Sequence, residues 1–153
     1  MTNITKKGYI HDSLVESYFI DSKNKKIVLN LLFDDGYDRV KVNVTFKNVL
    51  THLFEHNLDY NIIYSIDLFG FYNFMKFYKD YILKMYYYGL SSKLSLDFKN
   101  QTEKNKIKLL KIALNKNDYL IYNIDSSLGL YGFVICKDVE VEYLEHIQLK
   151  KEE

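Results

Sequence analysis

The stretch His52-Leu53-Phe54-Glu55-His56 holds two imidazoles and a carboxylate at the spacing H-x-x-E-H. On a helix, residues four apart share a face, so His52 and His56 could bind zinc while Glu55 acts as general base toward a metal-held water. Such a centre also needs a third protein ligand and an open coordination position on a rigid support. Glu103 falls in a polar stretch, and Glu140, Glu142 and Glu145 fall in a β-patterned run, so no third ligand stands out. Asn57-Leu58-Asp59 follows at once as a terminator, and the segment from Asn48 to His56 is expected to be a short helical turn or loop. A small zinc-dependent hydrolase through His52, Glu55 and His56 is therefore a rival reading, and the expectation is no metal and no other cofactor.

A second histidine, His11, stands directly before Asp12. A metal-dependent phosphohydrolase built on such a pair needs further histidines and another aspartate gathered on helices, and His11, His52, His56 and His146 are the whole supply. Asp12 is expected to accept hydrogen bonds at the start of a strand, with His11 bonded locally. The single cysteine, Cys136, lies in the apolar run GFVIC and is expected to be a buried, inert thiol. No nucleophile elbow, P-loop or dinucleotide fingerprint occurs, so no catalytic residue is assigned.

The run MYYYG sets Tyr86, Tyr87 and Tyr88 at the end of a helical pattern. Three consecutive side chains cannot all face one sheet, so at least one is expected to meet water or a partner. Lys76, Lys79 and Lys84 nearby make nucleic-acid binding a second rival, since aromatics and lysines together can stack bases and hold phosphates.

The elements that would carry these residues follow from periodicity. LVESYFID, KIVLNLLF and RVKVNVTF read as a three-stranded meander, with Asp35-Gly36 as the hairpin signal between the second and third. Val40, Val42, Val44 and Phe46 fall on one face of the third, and the second, apolar on both faces, is expected to be central. NIIYSID reads as a fourth strand. A long amphipathic helix follows from Phe71 to Tyr88, with Phe71, Phe74, Tyr78, Ile82 and Met85 toward the sheet and Gly89 as its stop. Residues 91–105 read as a polar insertion, and Lys106 to Lys116 as a shorter second helix. DYLIYNID, YGFVICKD and VEVEYLEH close the chain as strands, with a frayed tail from about residue 147. The expected fold is one α+β domain over 1–153: a mainly antiparallel twisted sheet of six to seven strands with two helices packed on it.

Composition narrows the function. The chain has 153 residues, 15 tyrosines, no proline and a formal charge of +1, so no global field recommends nucleic acid or anionic lipid. No apolar run has the length of a membrane span and no signal-peptide pattern opens the chain, so a cytoplasmic location is expected. Oligomeric state is left open.

Three sets of residues also resemble a group: His11, Asp12 and Ser13 at the opening of the first strand; Phe46 and Val49 after the third; and Ser127, Gly129, Gly132 and Ile135 near the end. Together they are similar to small bacterial immunity-type proteins encoded beside polymorphic secreted toxins. The resemblance implies a protein that neutralises one cognate toxin by direct occlusion, without catalysis. The shared residues read as folding residues, because glycines at a turn-to-strand junction admit close backbone approach and Ser126-Ser127 can bond free amides. The resemblance then implies a toxin-binding surface elsewhere, with Tyr86, Tyr87 and Tyr88 expected as anchors and Lys84, Asp34 and Asp35 as charged rim.

Overall fold

In a computed structural model the chain is described over residues 10–85 and 89–149. The elements, in order, are β1 (Ser13–Asp21), β2 (Lys26–Asp34), β3 (Asp38–Lys47), β4 (Thr51–Glu55), β5 (Ile62–Leu68), α1 (Phe71–Met85), α2 (Ser91–Leu94), α3 (Glu103–Lys116), β6 (Leu120–Leu128), β7 (Tyr131–Cys136) and β8 (Asp138–Gln148). All eight strands form one antiparallel sheet in the order β4-β7-β6-β5-β1-β2-β3-β8. The α+β class and the β1-β2-β3 meander are as expected. Val40, Val42, Val44 and Phe46 are buried on one face of β3, and β2 lies between two partners.

The expected six to seven strands are eight, because the segment read as a helical turn is β4. Its five residues pair with β7, Thr51 opposite Ile135 and Glu55 opposite Tyr131. A strand this short has too few residues to display a period, and its partner lies about eighty residues away, so local pattern could not find it. The polar insertion also contains structure: α2 occupies its start, and Leu94 and Phe98 are buried beneath its polar residues. The shorter helix begins three residues early, at Glu103, because the Thr102 hydroxyl accepts a hydrogen bond from the Asn105 amide at 3.2 Å and caps the first turn. At the other end β8 stays paired beyond the expected point of fraying: Arg39 lies opposite Ile147, Asp38 opposite Gln148, and the Leu149 amide donates to the Tyr37 carbonyl at 2.7 Å.

The sheet curls until its two ends meet. Only Lys137 separates β7 from β8, and only residues 48–50 separate β3 from β4, yet these pairs occupy opposite ends of the strand order. The chain can make both short crossings only if the ends are brought side by side. The Lys137 amide donates to the Lys47 carbonyl at 3.2 Å across the seam, and the Leu50 amide, donating to the Ile135 carbonyl at 2.8 Å, starts the β4-β7 ladder directly after the β3 crossing. Phe46, fully buried, meets Tyr122 edge-on across the interior at 5.9 Å.

This curl makes two cores. Leu29, Leu31, Val42 and Val44 from one arm pack against Ile124 and Val134 from the other, while the outer face of the β4-β7-β6 arm carries Phe133 and Ile135 against Phe74, Ile82, Leu110 and Leu114 of the helices. β7 is therefore buried on both faces, which accounts for its unbroken apolar run. Phe74 and Tyr78 sit over Phe133 at ring separations of 4.9 and 4.8 Å, so the predicted apolar face of α1 does lie on the sheet.

Cys136 sits in this doubly covered strand, and burial pushes its thiol up to about 12. Because the thiolate is the reactive form, a thiol reagent at pH 8 is expected to leave the native protein unlabelled and to titrate one thiol per chain in denaturant. Stoichiometric labelling of folded protein would contradict the burial.

Candidate functional site

The H-x-x-E-H stretch is not helical: Thr51–Glu55 form β4. On a strand rising about 3.3 Å per residue, His52 and Glu55 are spread along roughly 10 Å of backbone, and His56 lies beyond the strand end rather than one helical turn from His52. His52 lies beside Phe54, with ring centroids 5.2 Å apart, on the face of β4 away from Glu55, and His56 turns out of the strand at φ 53° to stack on Tyr131. Burial lowers the affinity of His52 for a proton. Among the described residues no group of three or more His, Cys, Asp or Glu is placed to hold a metal ion. The geometry for which the motif matters is a helix, and cross-strand pairing with β7 replaces it.

Some of the residues carrying the resemblance, His11, Asp12, Ser127 and Gly129, come together at one corner although they are scattered in sequence, whereas Phe46 and Ile135 are buried in the two cores. His11 Nδ1 lies 2.8 Å from the Asp12 carboxylate, and the other Asp12 oxygen accepts from the Ser127 hydroxyl at 3.1 Å. Ser13 is fully buried, and the Ser126 hydroxyl donates to the Gly129 carbonyl at 3.0 Å. Between them stands Asn61, a buried residue that sequence reading passed over as the first position of a strand. Its Oδ1 accepts from the amides of Leu58 and Leu130, at 3.0 and 2.9 Å, and its Nδ2 donates to Asn57 Oδ1 and the Leu58 carbonyl, at 2.9 and 2.7 Å. Every polar atom of this amide is used, so the corner is a brace between the β4-β5 connection and the β6-β7 turn.

The expected partner-binding residues divide. Tyr86, Tyr87 and Tyr88 lie outside the described residues. Asp34 and Asp35 serve the β2-β3 hairpin: Asp34 accepts from the Gly36 amide at 3.0 Å and from Arg39 at 2.9 Å, and Asp35 accepts from the amides of Tyr37 and Asp38, at 2.9 and 2.8 Å. These bonds hold both carboxyls below the usual aspartate range. Lys84 is exposed in the last turn of α1.

A more convergent surface lies between α1 and α3. A groove of about 730 Å³ is walled by Phe71, Tyr72, Ile107 and Ile112 and edged by Lys104, Lys108 and Lys111, with no acidic residue in its lining among the described residues. Tyr72 is 66% exposed and Ile112 52% exposed. The Lys111 ammonium stands 4.2 Å from the centre of the Tyr72 ring and 3.2 Å from its hydroxyl, which fixes the ring as one wall. An ion pair of 3.0 Å from Lys79 to Glu103 ties the two helices and uses the acid nearest the start of α3. Phe77, 74% exposed, stacks on Phe69 on another face of α1.

The surrounding charge is one-sided. Residues 71–116 carry ten lysines and three acids, a formal +7, whereas the remainder of the chain carries eleven basic and seventeen acidic side chains, a formal −6. The near-neutral total hides a dipolar molecule with a basic helical layer and an acidic sheet. Counting charge by segment exposes this asymmetry, and the spacing of Lys104, Lys108 and Lys111 marks one stripe of a helix. A whole-chain charge could not.

No helix among the described residues is long and apolar enough to cross a membrane. Comparison of the chain with protein-family models, curated proteins and solved structures found no match.

Proposed function

We propose that this protein is an immunity-like binding protein that neutralises a cognate bacterial toxin by direct protein-protein occlusion in the cytoplasm, and that it docks through the helical layer. The observation carrying this reading is the α1-α3 groove, where exposed aromatic and aliphatic side chains lie between two helices beside a stripe of three lysines on α3. Large apolar groups held open to water in a pre-formed cleft raise the free energy of the unbound protein and are recovered on burial against a partner. Of the residues behind the resemblance to immunity-type proteins, Asp12, Ser127 and Gly129 gather at the corner braced by Asn61 while Phe46 and Ile135 are buried in the cores, which suits a shared scaffold that carries a variable surface.

The test is co-production with the toxin encoded by a neighbouring reading frame. Cells are expected to survive only when this protein is present, and the purified pair to form a complex burying about 1,600 Å². Tyr72→Ala removes a groove wall and is expected to weaken the complex by roughly tenfold or more in calorimetric titration, with thermal stability little changed because the ring is exposed. Failure to protect cells from that toxin would refute the immunity reading.

A further inference from the structure

We infer that the α1-α3 groove recognises an acidic, apolar-faced segment of a protein partner, an amphipathic helix being the form that fits. The inference rests on the binding reading above and assigns the chemistry of what binds. Lys104, Lys108 and Lys111 follow one another at spacings of four and three residues, so their ammonium groups run along one face of α3 over about 10 Å. A second helix laid along the groove offers carboxylates at the same spacing and an apolar stripe toward Ile107 and Ile112. The excess of lysine over the whole helical layer extends the attraction beyond contact distance and orients an approaching acidic surface toward this face rather than toward the acidic sheet.

Two features favour a protein segment over a nucleic acid. The aliphatic Ile107 and Ile112 supply contact area suited to leucine-like side chains and give no stacking platform. The ring of Tyr72 already has the Lys111 ammonium at 4.2 Å over one face, and the ring of Phe77 already has Phe69 stacked at 6.0 Å, so the exposed aromatics are partly occupied as base-stacking surfaces.

The test uses the full chain and three probes: a synthetic amphipathic helical peptide of about five turns with glutamates at positions i, i+4 and i+7, the same peptide with each glutamate replaced by glutamine, and a poly(U) oligonucleotide. Binding is read by amide chemical shifts and by affinity across ionic strength. The acidic peptide is expected to perturb α1 and α3, to bind at least about tenfold more tightly than the glutamine peptide, and to lose that advantage as salt is raised. The triple variant Lys104→Glu/Lys108→Glu/Lys111→Glu is expected to lose binding by about tenfold or more. The neutral variant Lys104→Gln/Lys108→Gln/Lys111→Gln supplies the same comparison if the reversal disturbs folding. Shifts confined to other elements, equal binding of the two peptides, equal binding by the variants, or tighter binding of poly(U) would each overturn the inference. A wild-type dimer in sedimentation that the neutral variant abolishes would assign the face to a second copy and overturn it as well. Protection from the neighbouring toxin reads the immunity proposal separately. A chain that binds the peptide but never protects keeps the groove's chemistry and removes the toxin, whereas a neutral variant that still protects fully detaches the toxin from this groove.

Discussion

Gly132→Ala is expected to lower the stability of the protein by roughly 3–5 kcal/mol, the range in which a misplaced group forces backbone to move. A β-carbon at this position would lie 1.8 Å from the Leu53 carbonyl oxygen and 2.8 Å from its carbonyl carbon, on the neighbouring strand β4. Both obstacles are backbone atoms, so no side-chain rotation relieves them. The adjacent ladder must open where Phe54 faces Gly132, and β4 is then displaced from the edge of the sheet. Because β7 is buried on both faces, the displacement reaches the contact of Phe133 with Phe74 and Tyr78 beneath α1. For a chain of this size each kcal/mol lowers the midpoint of thermal unfolding by about 2–4 °C, so a fall of about 10 °C or more is the expected reading in a melt followed by circular dichroism. A midpoint within a degree or two of wild type would mean that β4 does not approach β7 this closely.

Asn61→Ala is the second large effect, expected at about 3–4 kcal/mol. Truncation leaves the amide of Leu130, a fully buried residue, without its acceptor and removes the acceptor of the Leu58 amide. A buried donor deprived of its partner costs about 1–3 kcal/mol, which applies to the Leu130 amide, while loss of the part-buried Leu58 bond and of the two bonds donated by the side chain adds to it. Gly129 is coupled to the same side chain. A β-carbon on Gly129 would stand 2.2 Å from Asn61 Oδ1, and its φ of +81° is unfavourable for any L side chain. Gly129→Ala is therefore expected to be costly in the wild-type background and less costly once Asn61 is alanine, because the clash with the amide has gone and there remain the backbone strain of about 1–3 kcal/mol and the tight approach to the Tyr60 carbonyl at 3.3 Å. Strictly additive losses across this double-mutant cycle would show that the two residues do not touch.

The shared-motif residues illustrate what could be read from the chain. Gly129 and Gly132 were legible as places of close backbone approach, and the structure supplies the atoms they approach. Asn61 was not legible: an asparagine before a β-patterned run has no local mark of burial, and its four bonds reach partners that include Leu130, far along the chain. The groove was half legible. The apolar face of α1 and a second helix from Lys106 could be traced, but Lys104 falls in the stretch that reads as a polar insertion, so the stripe of Lys104, Lys108 and Lys111 emerges only with the helix start at Glu103, and nothing in either helix says that the other lies beside it.

What the sequence settled by itself was whatever depends on near neighbours: the β1-β2-β3 meander with its hairpin, the face of α1 carrying Phe74 and Ile82, and the burial of Cys136. Each is governed by side-chain period or turn chemistry within a dozen residues, where the backbone geometry is the same whatever the rest of the chain does. The tertiary structure alone decided that His52 to Glu55 is a strand, that the sheet curls until its ends meet, and that α1 and α3 lie side by side over a groove. Those outcomes depend on pairings between distant segments, β4 with β7 and Lys47 with Lys137, whose energy exists only when both partners are present. That contact cooperativity overrides local preference and leaves no periodic trace in either partner alone.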